Sequence, residues 1–202
     1  MNIFNDTQEH YNRIFENLHL EPGAHLNGEF IECKFIQCSF ENSVLENSKF
    51  SDCSFQDCNL SLAQIPGSSF PGSRFEKSKL IGIDWTQGDW SALGFQKLVH
   101  LSDCVINHST FIGLKLQGIT IKNCLAHEVD FREADLTEAN FEGTDLEKSL
   151  FGHTDLTKAD LSQARNYMID PSSNTLKKAK FSLPEAMALL HIMDIELVDQ
   201  DE

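Results

Sequence analysis

The chain has 202 residues and a formal net charge of −15. This length suits one ordinary domain or one repeat array, and the charge argues against direct binding to nucleic acid or anionic lipid. A membrane span would need roughly 20 apolar residues, and the N-terminus lacks the basic and apolar regions of a signal peptide. We therefore expect a cytoplasmic protein whose partners present basic protein surfaces.

A large apolar residue, position i, recurs every five residues from Phe30 to Phe95 and again from Leu101 to Leu161, usually with a small residue at i−2. A period of five fits neither a helix nor an isolated strand. A short extended piece followed by a corner explains it, because strand side chains alternate and residues i and i−2 then both point inward. The other three positions face water or form the corner.

Residues 1–29 are predicted to form an irregular N-terminal cap. Phe15 and Leu20 fit the five-residue spacing, but His25 stands where the next large residue is expected. A turn is indicated by Pro22 and Gly23. We interpret this segment as an imperfect first coil.

Residues 30–181 are predicted to form the repeat domain. Pro66-Gly67 and Pro71-Gly72 stand at i+1 and i+2, the places that a type II turn favours for Pro and Gly. Phenylalanines also recur at a spacing of 20, which predicts four units per coil: Phe35, Phe55, Phe75 and Phe95. Five residues per side give a tube about one side-chain layer thick, without room for a channel or buried ligand.

Two places disturb this spacing. Between Phe95 and Leu101 it is six, which we interpret as a one-residue phase shift near residues 96–100, made by a bulged corner. Asn166 and Pro171 then stand at the five-residue spacing but are not large apolar residues. The segment around them is therefore predicted to be a surface turn.

Residues 182–202 are predicted to form a C-terminal helix and tail. Ser182 to Glu185 matches a capping box, and the apolar side chains that follow suit a short helix and then a strand-like segment. Such a module could be a lid over the open end of the solenoid, or a lid that also forms a two-fold dimer interface. The predicted interface residues are Leu183, Met187, Leu190, Met193, Ile195 and Leu197.

No catalytic, cofactor or metal site is predicted. All six cysteines occupy i−2, in three pairs at a spacing of 20: Cys33 and Cys53, Cys38 and Cys58, Cys104 and Cys124. Stacked thiols could form disulfides or bind a metal, but buried cysteine also serves as a small apolar residue, which is the interpretation we favour for a cytosolic chain. Neither a nucleophile motif nor a phosphate loop is present, so we expect no enzymatic activity.

Acidic residues concentrate in residues 127–202, which hold 17 of them against 7 Lys and Arg. Aspartates at i−1 can hydrogen-bond their own turn, and the glutamates could serve solubility or edge protection. The alternative is an acidic binding face: Asp130, Glu133, Asp135, Glu138, Glu142, Asp145, Glu147 and Asp155. Eight coils make a rod of about 40 Å, hence about one charge per 2.7 Å against one per 1.7 Å of duplex DNA, so the rod could imitate DNA.

The units ADLTE, ANFEG, TDLEK and ADLSQ resemble those of the pentapeptide-repeat proteins. The C-terminal FSLPEAMALLHIMDIEL is similar to the helix and dimerising tail of one branch, the fluoroquinolone-resistance (Qnr) proteins and the albicidin- and microcin-immunity proteins. CNLSLAQIPGSSF and GIDWTQGDW look most like the albicidin-resistance members. The resemblance implies an all-β solenoid, a right-handed quadrilateral β-helix, and a homodimer that imitates DNA and binds DNA gyrase and related type II topoisomerases.

The resemblance also bears on which gyrase inhibitor the protein counters. Some Qnr proteins carry projecting loops of several residues that are tied to drug protection, whereas the spacing here indicates a single extra residue. Self-immunity or resistance to a gyrase poison other than a quinolone is therefore expected. The alternative function is a non-enzymatic scaffold that binds another protein through a flat face.

Overall fold

A computed structural model describes residues 9–90 and 98–195. They form an all-β solenoid of about eight turns, as predicted, with one short helix near the C-terminus. The helix, α1, spans Met187–Ile192, and a 3-10 turn spans Trp85–Gln87. The strands β1 to β13 span Glu9–Tyr11, Ile14–Glu16, His25–Leu26, Glu29–Ile31, Lys34–Ile36, Val44–Leu45, Lys49–Ser51, Ser54–Gln56, Arg74–Glu76, His100–Ser102, Thr120–Lys122, Asp160–Leu161 and Lys180–Phe181.

Neighbouring coils pair in parallel, and a residue generally pairs with the residue 20 positions further along, as Phe35 does with Phe55. Four units therefore close one coil, which confirms the count from the sequence. The coil has four sides, which we number by their inward residues. Side 1 carries Phe30 and Phe50; side 2, Phe35 and Phe55; side 3, Phe40 and Leu60; side 4, Leu45 and Ile65.

The corners place residue i+2 in the left-handed backbone region. Pro66-Gly67 and Pro71-Gly72 form the predicted turns: the glycines have φ of 65° and 69°, and the N–H of Ser68 donates to the carbonyl of Ile65 at 3.1 Å. Most other i+2 residues are Asn, Asp or longer polar side chains. The corner therefore needs a tolerant residue at i+2 and leaves that side chain in solvent.

The core is a set of aromatic stacks parallel to the solenoid axis. Phe35, Phe55 and Phe75 lie one above another with ring centroids 4.7 and 4.4 Å apart, and Phe111 stacks on Phe131 at 5.3 Å. Offset stacks of this kind add stability beyond the apolar area that they bury. The side chains thus fill the tube as predicted.

The small i−2 residues do more than leave space. Thiols and hydroxyls at this position donate to a main-chain carbonyl of the previous coil, as Cys53 does to Phe30 at 3.3 Å and Ser73 to Phe50 at 2.8 Å. Burial raises the pKa of Cys53 to about 12, so its thiol keeps the proton that it donates. All six thiols are free and buried. The thiols therefore donate to buried main-chain carbonyls, which adds a bond between coils at the small inward position.

The predicted one-residue phase shift is wrong. It would place Leu101 above Leu80, but the structure pairs Leu101 with Phe75, 26 positions earlier, and Val105 with Lys79. One coil thus contains six extra residues. The coil is regular up to Asp89, whose N–H donates to Ser68 at 2.8 Å, so the extra residues fall between Trp90 and Leu98. Phe95, placed inside by the spacing, belongs to residues 91–97, which lie outside the described part.

The first coil is more regular than predicted. β1 and β2 pair in register with β4 and β5, so residues 9–29 already follow the solenoid rather than an irregular cap. His25 is not the inward residue, because Leu26 pairs with Leu45 and is buried while His25 is exposed. One additional residue at the Pro22-Gly23 turn accounts for this offset.

Two details near the C-terminus also differ from the predictions. Within the predicted surface turn, Tyr167 and Ile169 are buried in the core. Asn166, which stands at the five-residue spacing, is exposed. The capping box does not form: the hydroxyl of Ser182 accepts from the N–H of Gln163 at 3.0 Å, and α1 begins only at Met187. Among the described residues, no helix is long and apolar enough to cross a membrane.

Candidate interaction surfaces

The aspartates at i−1 bond to their own corners, as the sequence predicted. Asp155 Oδ1 accepts from the N–H of Thr157 at 2.9 Å, and Asp130 Oδ1 from that of Arg132 at 3.0 Å. Asn140 accepts from Glu142 in the same way at 2.9 Å. Since asparagine serves equally well, the negative charge of these residues is not required by the turn.

The eight predicted acidic residues do not share one face. Each side holds some of them: Asp130 and Glu133 lie on side 4, Asp135, Glu138 and Asp155 on side 1, Glu142 on side 2, and Asp145 and Glu147 on side 3. The period of five distributes consecutive units around the coil, so neighbours in sequence end on different sides. The predicted set is therefore a belt and not a single surface.

Several of these carboxylates are paired with a cation. Lys158 Nζ lies 2.6 Å from Glu138, Lys122 Nζ lies 2.7 Å from Glu142, and Lys148 Nζ lies 3.5 Å from Glu147. The first two pairs join residues 20 positions apart on adjacent coils. Pairing between coils therefore gives Glu138 and Glu142 a structural role, although such exposed pairs contribute only modestly to stability.

Asp145 is part of a buried network on side 3. Only 7% of the residue is exposed. Its carboxylate accepts from Arg165 Nε at 3.0 Å and from Asn166 Nδ2 at 2.8 Å, and it lies 3.4 Å from His127 Nε2. Burial alone would raise the pKa of Asp145, but the hydrogen bonds from Asn166, Arg165 and His127 hold it below its usual value. Asp145 is thus positioned to stabilise the fold rather than to contact a partner.

Asp130 is paired with Arg132 at 2.6 Å, so three of the eight acids have no ion-pair partner among the described residues: Glu133, which is exposed, and Asp135 and Asp155, which are half-buried. Within the described part of the chain they form no ion pair closer than 4.0 Å. Asp135 and Asp155 are direct neighbours on adjacent strands of side 1, and Glu133 stands on the corner between sides 4 and 1. Like charges directly opposite each other are destabilising. We call these three residues the acidic edge.

The whole chain has a net charge of −15, which over about 40 Å is about one charge per 2.7 Å, against one per 1.7 Å of duplex DNA. Ion pairs at the surface neutralise several of the carboxylates. Any imitation of DNA must then depend on where the unpaired charges stand.

An apolar surface covers the C-terminal module. Ala188 and Leu189 pack against the solenoid core, whereas five of the six predicted interface residues are exposed: Leu183, Met187, Leu190, Met193 and Ile195. Leu197 lies outside the described residues. Exposed apolar side chains concentrated on one element are typical of a protein interface. No group of three or more potential ligands for a metal occurs among the described residues.

The geometry defines a repeat protein with outward surfaces suited to protein contacts. The family model for a pentapeptide repeat region matches residues 28–101, and that for pentapeptide repeats matches residues 115–152 and 127–163. The chain belongs to the pentapeptide-repeat proteins. No curated protein matches its sequence.

Solved structures share the fold at low identity. A trypsin-treated variant of QnrB1, a plasmid-mediated fluoroquinolone resistance protein, has a TM-score of 0.62 and 18% identity over 95% of this chain and 92% of that one. Full-length QnrB1 has a TM-score of 0.56 and 18% identity over 93% and 100%. HetL from the cyanobacterium Nostoc, involved in heterocyst differentiation regulation, has a TM-score of 0.54 and 16% identity over 87% and 88%.

Proposed function

We propose that this protein binds bacterial DNA gyrase as a DNA mimic and confers resistance or self-immunity to a gyrase-targeting toxin or antibiotic. The observation that carries the proposal is the acidic edge, where Asp135 and Asp155 are direct neighbours and neither forms an ion pair within 4.0 Å with another described residue, although the turn would accept asparagine at both positions. The cost of this repulsion is explained if a basic surface neutralises both carboxylates on binding. The C-terminal resemblance to Qnr and immunity proteins supports gyrase as the partner.

The identity of the poison is open to experiment. From the sequence we expect a poison other than a quinolone, because the spacing indicates a single extra residue. The structure has six extra residues between Trp90 and Leu98, so this reason to exclude quinolones no longer holds. The albicidin-like stretches favour albicidin, and the fold shared with QnrB1 suits a fluoroquinolone equally well. Both compounds belong in the assay.

The direct test is a gyrase supercoiling assay with and without each poison. We expect micromolar protein to inhibit supercoiling, or to restore it in the presence of one poison. The affinity for gyrase should fall steeply between 50 and 200 mM salt, because the contact is electrostatic. No effect on supercoiling together with no binding would contradict the proposal.

The acidic edge can be tested with matched variants. Glu133→Gln, Asp135→Asn and Asp155→Asn together remove three negative charges and keep the turn bonds. The control removes the same number of charges from acids that have lysine partners, by Glu138→Gln, Glu142→Gln and Glu147→Gln. We expect the first triple variant to lose at least about tenfold in affinity for gyrase and the control clearly less. If the control variant lost more affinity for gyrase than the acidic-edge variant, the contact would lie outside the acidic edge.

We further propose that the protein is a homodimer joined through the exposed side chains of the C-terminal module. A second possible function is a non-enzymatic scaffold for another protein. It is favoured by the ion pairs that neutralise part of the acidic belt, because these make the surface less like DNA. An unchanged interaction with gyrase after neutralisation of the acidic edge would favour the scaffold.

A further inference from the structure

An apolar stripe crosses side 3 on four successive coils. It consists of Leu62, Ile81, Val105 and Leu125, of which Leu62 is 52% and Leu125 38% exposed. The N–H of Leu62 donates to the carbonyl of Ile81 at 2.8 Å, and Val105 pairs with Leu125 on the next strand. Leu62 and Ile81 are therefore neighbours near one corner, and Val105 and Leu125 are neighbours on the next two strands. The direct partner of Val105 on the earlier coil is Lys79, so the four positions run diagonally across side 3. We call them the side-3 stripe.

Leu62 is an outlier at its position. It occupies the i+2 corner with φ of 59°, and every other non-glycine residue with positive φ among those described is polar or charged. A branched apolar side chain in this region is strained, whereas asparagine adopts it readily. The next coil has Gly82 at the equivalent corner, and a Cβ there would come within 2.8 Å of Leu62 Cδ2. Strain combined with exposure of an apolar side chain indicates a function other than folding.

The surroundings of the stripe differ from the rest of the rod. On the three coils from Asn59 to His108, the outward positions of side 3 contain no acidic residue, and Lys79 adds a positive charge. On the following coil Glu128 lies beside His108, at 3.5 Å. A basic DNA-binding surface therefore finds no acidic partner at the outward positions of side 3 on these three coils, although Asp57 and Asp103 stand at the corner between sides 2 and 3. A partner surface that fits here is apolar and not basic.

We propose that the side-3 stripe is a second contact with the topoisomerase, made to an apolar, non-basic patch of that enzyme outside its DNA-binding surface. This inference rests on the proposed function. A rod with a lower charge density than DNA competes poorly for a DNA site at physiological salt. Apolar burial is far less sensitive to salt, so the stripe supplies affinity and specificity that the acidic edge lacks.

The test compares two stripe variants with controls of the same chemistry. Leu62→Asn places a residue suited to the left-handed corner, and its control is Gln37→Asn, the same corner position on side 2 with φ of 53°. Leu125→Thr changes an i−1 residue, and its control is Leu150→Thr, the i−1 residue on side 4 that is 49% exposed. Affinity for gyrase is measured by calorimetry at 50 and 300 mM salt, with thermal unfolding of each variant.

We expect Leu62→Asn and Leu125→Thr each to weaken binding about fivefold at both salt concentrations, because each replaces apolar groups of a leucine in the contact by polar ones. The slope of affinity against salt should not change, and both controls should bind like the unmodified protein. The melting temperature of Leu62→Asn should be equal or higher, which separates lost binding from lost folding.

Several results would overturn the inference. Stripe variants that bind as well as their controls would remove the stripe from the interface. A lower mass in solution for both stripe variants would make it a contact between copies of this chain. If the unmodified protein does not bind gyrase at either salt concentration, the proposed function itself fails and the inference fails with it.

Discussion

Asp145→Asn should destabilise the fold without weakening the contact with a partner. The carboxylate of Asp145 is nearly buried and accepts bonds from Arg165 and Asn166 at 3.0 and 2.8 Å. Asparagine keeps one acceptor but turns an amide towards a donor, so at least one charge-assisted bond is lost. Such bonds contribute about 1.5–3 kcal/mol, and Arg165 is half exposed, so we expect a loss of about 2 kcal/mol.

For a chain of this size, about 2 kcal/mol corresponds to a fall of about 4–8 °C in melting temperature. Thermal unfolding followed by circular dichroism measures it. The matched control is Asp155→Asn, at the same turn position on side 1, where the carboxylate has no ion pair and faces Asp135. The control should change the melting temperature little, or raise it by relieving repulsion. Equal falls in the two variants would refute the structural role of Asp145.

The pH dependence gives a second check on Asp145. Its pKa is lower in the folded protein than in the unfolded chain, so the ionised carboxylate contributes stability above about pH 4. This contribution is lost as the pH falls through the folded pKa. The difference in melting temperature between Asp145→Asn and the unmodified protein should therefore be full at pH 7 and shrink below about pH 4. A difference that stays constant down to pH 2 would contradict the assignment.

Three further predictions concern the C-terminal module, the core and a surface carboxylate. Leu190→Arg with Ile195→Arg should halve the mass in solution, measured by sedimentation; an unchanged mass would exclude this dimer interface. Phe131→Ala should cost about 3–5 kcal/mol in denaturant unfolding, because it interrupts a buried aromatic stack; a loss below 1 kcal/mol would contradict that packing. Hydrogen bonding from Ser162 and the nearby Lys180 lowers the pKa of Asp160 to about 2, so NMR titration should show it ionised at pH 3.

Local patterning predicted most of the solenoid. Inward placement of i and i−2 depends only on the alternation of side chains within one short strand, and Pro66-Gly67 requires its corner wherever the unit stands. The spacing of 20 between phenylalanines indicated the number of sides because like residues stack on adjacent coils. These features need information from one unit or from identical residues on adjacent coils.

The candidate site was harder to predict, because ion pairing depends on the register between coils. Glu138 and Lys158 are 20 positions apart, and nothing within either unit shows that their side chains meet. Lys115 stands 20 positions before Asp135 on the adjacent coil and yet forms no ion pair with it, so a spacing of 20 alone does not identify the acidic edge. The burial of Asp145 depends on Arg165 and on Asn166, whose outward position the spacing did not predict.

The sequence by itself determined the repeat, most of the inward residues, the four-sided coil and the exposed apolar C-terminal module, because each follows from local alternation or from composition. Only the tertiary structure decided the length of the interrupted coil, the side on which each charge stands and which charges form ion pairs. Six extra residues equal one unit plus one residue, so on a five-residue spacing they look like a shift of one. The pairing of Phe75 with Leu101 resolves this, because a hydrogen-bonded ladder records which coils are neighbours and a periodic sequence does not.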